Sequence, residues 1–257
     1  MSLPLYVVDA FTRVAFAGNP AAVCPLPHAL ANATLQAIAA ENNLSETAFL
    51  LRRIDGDFDL RWFTPLREVD LCGHATLASA FVVFAFLEPL RVGVRFHTRS
   101  GALDVTRDGE LLSMDFPARE PVAFAPPADL RAALGAPALE WLNGQYPLAV
   151  LADEAAVRAA RPDLARIDSL SITAPGDDCD FVSRFFAPGY GIAEDPVTGS
   201  AHCSLIPYWS NRLGKRALYA RQVSARGGEL WCEARGARVG LRGACVSYSR
   251  GEIALDV

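Results

Sequence analysis

No stretch of this chain is apolar for long enough to cross a bilayer. Its longest strongly apolar run, Ala75 to Leu87, has 13 residues, where a spanning helix needs about 20. No basic segment opens the chain, and Asp9 comes too early for a secretory leader. Basic charge is in deficit, with 24 Lys and Arg against 29 Asp and Glu and a net charge of -5, so there is no electrostatic footprint for nucleic acid. None of the six cysteines (Cys24, Cys72, Cys179, Cys203, Cys232, Cys245) stands in a C-x-x-C pair. A chain of 257 residues that is 51% hydrophobic can build a core without disulfides, and reduced, buried thiols are expected. The four histidines (His28, His74, His97, His202) show no metal-ligand spacing. No G-x-G-x-x-G or Walker pattern occurs, and Ser200 lacks the G-x-S-x-G elbow of a serine hydrolase. A cytoplasmic globular protein without metal or cofactor is the expectation.

What is present is punctuated sheet sequence with a few helices. "LPLYVVDAF" reads as an opening strand, "ATLQAIAAENN" as a helix, and "LSETAFLLRR" and "FDLRWFT" as strands. Asp108-Gly109 between two alternating runs predicts a hairpin. "PLAVLADEAAVRAA" reads as a strand and then a helix capped by Asp153. From "ALYARQV" onward, short strands separated by glycines suggest an antiparallel sheet. Prolines 117, 121, 126 and 127 mark the lobe boundary.

One motif occurs twice. "VDLCGHATLASAFVVF" from Val69 and "EDPVTGSAHCSLIPYW" from Glu194 each set an acid, a glycine, a polar residue and an alanine ahead of an apolar helix, with Gly73 and Gly199 126 positions apart. A helix apolar on every face must be buried on every face. The fold expected is therefore α+β, with two similar lobes, each a curled, mostly antiparallel sheet wrapped around a central helix. The lobes are placed at 1–118 and 119–257, with the terminal strand free to cross between them. The first turn of a helix offers unpaired N–H groups and the positive dipole end, and a glycine there lets a ligand approach the backbone. Two such ends facing a cleft would hold an anion, most simply a carboxylate. The plainer reading makes Asp70, Asp195 and Ser200 helix caps.

"DAFTRVAFAGNPAAV", "ENNLSETAFL", "RWFTPLREVDLCGHATLASA" and "FVSRFFAPGYGIAEDPVTGSAHC" resemble the PhzF family of phenazine-biosynthesis-like isomerases, and the resemblance runs through nearly the whole chain. It implies a diaminopimelate-epimerase-like fold and a cofactor-free isomerisation of a small carboxylate between the lobes. A homodimer is the assembly to test. The family's catalytic positions fall on Glu46, His74, Asp195 and Ser200. Asn19, in a tight turn, the glycines Gly73 and Gly199, and Thr198 are candidate substrate-holding residues. For Asn19 simple turn chemistry is the competing reading, and for Arg184 a structural ion pair outranks a substrate contact. Distant epimerase relatives use two opposed cysteines. Cys72 stands where the first would be, but Thr198 stands where the second would be, and Cys203 lies well inside the helix. That favours one-base chemistry centred on Glu46. A Cys72-based racemase, or a binding protein without turnover on the same fold, are the alternatives.

Overall fold

The computed structural model describes residues 2–255; residues 1, 256 and 257 lie outside them. The chain divides into two compact units, 1–115 with 242–257, and 116–241.

In the first unit, β1 (Ser2–Ala10) and β2 (Asn19–Leu26) are antiparallel, and β2 is followed by α1 (Asn32–Asn42) and β3 (Glu46–Arg52). β3 lies parallel to β2 and antiparallel to β4 (Phe58–Phe63), and the two-residue β5 (Glu68–Val69) pairs with the end of β4. Then come α2 (Gly73–Val82), β6 (Gly93–Thr98) parallel to β4, and the hairpin of β7 (Gly101–Asp108) and β8 (Leu111–Pro117). A parallel pair needs a crossover of a dozen or more residues, and the helices are those crossovers. α1 carries the chain from β2 to β3, and α2 carries it from β4 to β6.

Strand alternation assigns the two helices to opposite faces. Phe49 pairs with Arg61 and Thr47 with Phe63 on one face, where Phe49 and Phe63 pack with Leu35, Ile38 and Ala39 of α1. Ala48 with Trp62 and Leu50 with Leu60 point the other way, toward the face that carries α2. From His74 to Ala80 every residue of α2 is buried. The helix then widens into a π-turn at Val83–Leu87, where the N–H of Glu88 donates to the carbonyl of Val83 at 2.7 Å.

The second unit repeats this order. After the short β9 (Val122–Ala123) and α3 (Ala128–Leu134), β10 (Glu140–Asn143) and β11 (Pro147–Val150) are antiparallel. α4 (Glu154–Ala159) crosses to β12 (Leu170–Pro175), parallel to β11, which pairs antiparallel with β13 (Phe181–Ala187). β14 (Ile192–Asp195) is a short neighbour of β13, and α5 (Gly199–Leu213) leads to β15 (Ala217–Gln222), parallel to β13. β16 (Gly228–Ala234) and β17 (Arg238–Gly243) follow. Leu170, Ile172, Ala174, Val182 and Phe186 form one cluster with Val157 and Ala160 at α4. On the opposite face Trp209 of α5 stacks on Phe181 at 5.6 Å and donates its indole N–H to Thr173 at 3.0 Å. The duplication read from two glycines is thus a duplication of the whole strand–helix order. The expected cap at Asp153 is present, its carboxylate accepting the N–H of Ala156 at 2.7 Å.

One expectation needs correcting. Asp70 is no cap: the residue before α2 is Cys72, without a side-chain cap bond, and the Asp70 side chain is 75% exposed beside Arg99. Each helix starts four residues after its short strand ends, at Val69 and at Asp195. Structurally, Asp195 matches Val69, and Asp70 lies one residue further on. A one-residue step turns a side chain from the inner face to solvent.

The last strand, β18 (Cys245–Ala254), returns to the first unit and pairs antiparallel with β1 along its length, from Ser2 opposite Ala254 to Ala10 opposite Cys245.

Candidate active site

In the first unit three segments bring Glu46, His74 and Asn19 together. Glu46 opens β3 on the α2 face, and its side chain is only 12% exposed. His74 is the second residue of α2 and is buried. Asn19 opens β2 and is fully buried. The loop before it holds Phe11 at φ 62° and Phe16 at φ 73°, left-handed conformations that are costly outside glycine and that cluster at functional sites. Gly18, at φ 68°, is required: a Cβ there would lie 2.2 Å from the carbonyl oxygen of Ala10. The Phe16 N–H donates to Asp9 at 2.9 Å and ties the loop down.

His74 is gripped from both edges. Nε2 lies 3.1 Å from Glu46 Oε2. Nδ1 lies 3.1 Å from the Asn19 amide nitrogen and 3.6 Å from Cys72 Sγ. An amide suits either form of the ring, since it can turn an oxygen or an N–H toward Nδ1. The Glu46 and His74 atoms face each other without the alignment of a hydrogen bond, and neither has another hydrogen-bond partner among the described residues. Burial works against a second proton on His74, but the facing Glu46 carboxylate, with Cys72 beside the other nitrogen, outweighs it, and the ring holds its proton well above the usual histidine range. Burial, reinforced by Glu46, pushes the Cys72 thiol up to about 11, so it stays protonated at neutral pH. Glu46, Cys72 and His74 place donor atoms within 4.8 Å of one another.

In the second unit Asp195, Thr198, Gly199 and Ser200 share the start of α5. Thr198 precedes the helix without a side-chain cap bond to it. Its hydroxyl donates to Asp195 Oδ2 at 2.5 Å instead. Ser200 Oγ lies 3.1 Å from the hydroxyl of Tyr146, whose ring packs on Phe185 at 4.6 Å. Burial raises the Tyr146 proton affinity, keeping it a phenol. The turn that carries Tyr146 lies so close to α5 that a Cβ on Gly144 would come within 2.4 Å of Ser204 Oγ, and that oxygen accepts the Gln145 N–H at 2.8 Å. Both helix starts lack side-chain caps, and with Gly73 half-buried and Gly199 buried their backbone donors suit a bound anion.

Arg184 and His202 have structural partners. Arg184 is structural: it forms a two-pronged pair with Glu194 at 2.7 and 2.9 Å and donates to the carbonyls of Val157 and Ala160 behind α4. His202 donates from Nδ1 to the Thr198 carbonyl at 2.8 Å, and burial drives its pKa down to about 4. Tyr146 and Gln222 were not foreseen. Alternation on β15 sets Leu218, Ala220 and Gln222 on the buried face, and a glutamine in that row was the available signal.

The sequence pattern of the PhzC-PhzF family, described as phenazine biosynthesis-like protein, matches residues 8–251. The chain belongs to this family. An uncharacterized isomerase of Pseudomonas aeruginosa is 52% identical over 99% of the chain and 100% of its own length. The crystal structure of a PhzF-family protein from Enterococcus faecalis superposes with a TM-score of 0.96 at 46% identity, covering 99% of this chain and all of that one. A hydroxyproline epimerase from Agrobacterium vitis shares the fold at 12% identity, with a TM-score of 0.64 over the whole of this chain and 93% of the other. This PhzF-family chain is an isomerase with the epimerase-like α+β fold. No helix among its described residues is long and apolar enough to cross a membrane.

Proposed function

We propose that this protein shifts a proton within a small carboxylate-bearing metabolite, with Glu46 as the proton carrier. The observation that supports this is the buried Glu46–His74 pair, two polar atoms 3.1 Å apart with no aligned hydrogen bond. His74 is the natural partner for a carboxylate that must wait ionised. Its retained proton gives Glu46 a cationic neighbour before substrate arrives. The carboxylate then removes a proton from a carbon beside an electron-withdrawing group. The electron pair moves into the substrate's π system, and the Glu46 carboxyl, open to exchange with solvent, delivers a proton to a second carbon. One C–H bond breaks and one forms, with no net redox change, so the reaction needs no cofactor. The amides of the α5 start, with Ser200 and Tyr146, suit a carboxylate. The Cys72 racemase finds less support, because its thiol stays protonated up to about 11 and the Thr198 hydroxyl is committed to Asp195.

The test is Glu46→Gln, which keeps shape and polarity but cannot take a proton. Amino-acid and cyclic hydroxy-acid metabolites are screened for solvent deuterium uptake, and the variant is then compared on the substrate found. It should lose about 10²–10⁴-fold in rate while folding normally. Near-normal turnover by the variant would refute the assignment.

A further inference from the structure

Gln222 closes β15, is 1% exposed, and has no part in the resemblance to the family. All its side-chain bonds go to the four-residue segment that opens α5. Oε1 accepts the Thr198 N–H at 2.8 Å. Nε2 donates to the Asp195 carbonyl at 2.7 Å and to Thr198 Oγ1 at 3.2 Å. The orientation of this amide follows from its partners, since a backbone N–H can only donate and a carbonyl oxygen can only accept. Both contacts demand the same orientation. The third bond then follows: with Nε2 donating to Thr198 Oγ1, that hydroxyl sends its own proton to Asp195 Oδ2, 2.5 Å away.

We propose that Gln222 is a positioning residue for Asp195: it sets the direction of a hydrogen-bond chain, Gln222 to Thr198 to Asp195, that holds the Asp195 carboxylate as a proton acceptor at the start of α5. The duplicated fold supplies a control. β6 in the first unit corresponds to β15, and its last residue, Thr98, falls where Gln222 does. Thr98 donates to the nearby carbonyl of Gly101, and the segment before α2 is tied instead by Ser100 Oγ donating to the Asp70 carbonyl at 2.8 Å, the bond that Ser224 repeats to the Pro196 carbonyl in the second unit beside the Gln222 amide. The architecture can therefore build a helix start of this kind without the amide, so the clamp serves the side chain it orients. A carboxylate that receives a charge-assisted hydrogen bond releases its proton more readily. The other titratable groups about Asp195 are the phenols of Tyr146 and Tyr190, the Arg184–Glu194 pair on β13 and β14, and His202 on α5, neutral above about 4.

The inference rests on the reading of Asp195 as part of the reactive machinery, so its test needs a readout other than turnover. Carboxyl ¹³C NMR of the full chain follows the titration of Asp195 directly. Thr198→Val and Gln222→Leu should each raise its midpoint by about one unit or more, a tenfold or greater gain in proton affinity. Thr198→Ser keeps the hydroxyl and should titrate like the wild type. In the wild type the Gln222 side-chain amide protons should exchange slowly with solvent, a measurement that survives if Gln222→Leu does not fold. An unshifted midpoint in folded Gln222→Leu and Thr198→Val, or fast exchange of the Gln222 amide, would overturn the proposal. Glu46→Gln retaining turnover would refute Glu46 as the proton carrier and leave these titrations standing.

Discussion

His202 gives the sharpest physical prediction, because one ring ties helix order to pH. It is fully buried in the second turn of α5, faces Phe181 with ring centroids 5.8 Å apart, and spends its Nδ1–H on the Thr198 carbonyl. Its Nε2 has no hydrogen-bond partner among the described residues, so a second proton there would be a buried charge without an acceptor. The pKa falls from 6.5 to about 4. Between those values the unfolded chain binds a proton that the folded chain refuses. Stability from this residue is therefore fully present above 6.5 and lost as pH falls toward 4. The loss amounts to about 3 kcal/mol, at about 1.4 kcal/mol per unit. His74, with its pKa raised, works in the opposite window: its contribution is complete below 6.5 and disappears as pH rises through the folded value. The two do not overlap. Urea unfolding of wild type and His202→Gln, followed by tryptophan fluorescence from pH 4 to 7.5, isolates the effect, because every other titration is common to both chains. The wild type should lose about 3 kcal/mol relative to the variant across pH 6.5 to 4. Stability curves that run parallel over that range would refute the reasoning.

Two further outcomes follow from the site. Cys72→Ser should keep activity within about tenfold, since a thiol that stays protonated contributes packing and not a base; a collapse by several orders of magnitude, or stoichiometric inactivation by alkylation at Cys72, would restore the racemase. Gly199→Val should raise KM at least tenfold while lowering the thermal midpoint by only a few degrees, because a side chain at that position would obstruct the amides proposed to bind a carboxylate; an unchanged KM would show that no anion sits at the α5 start.

The sequence carried most of the fold because local pattern decided it. Alternation marked β3, β4 and the β7–β8 hairpin, and the two glycine-opened apolar helices marked the repeat. Glu46, His74, Asp195 and Ser200 were marked as candidates by contiguous motifs of the family resemblance. Tyr146 and Gln222 were not, because each meets its partner across dozens of residues and through a strand register that no local window encodes. Asp70 and Asp195 looked equivalent as the acid that opens each motif, although one stands three residues before Gly73 and the other four before Gly199. The structure separates them by a single residue at the strand end, which is enough to send one carboxylate to solvent and the other to Thr198. The π-turn after α2 likewise lay hidden, since an apolar run reads the same whether its last turn is α or wider.

The pairing of β1 with β18 has a consequence for how the molecule is made. On the ribosome the second unit emerges as one uninterrupted stretch, 116–241, and can fold as soon as it clears the exit tunnel. The first unit begins earlier but finishes later, because the partner strand for residues 2–10 arrives only with residues 245–254. Until then one long edge of β1 is bare, a surface that invites pairing with other nascent chains. A truncation that stops after β17 would reproduce that state in the test tube, and the exposed β1 edge should make it aggregate where the full chain does not. Glu46 and His74 are translated in the first third of the chain, yet the unit around them is closed last.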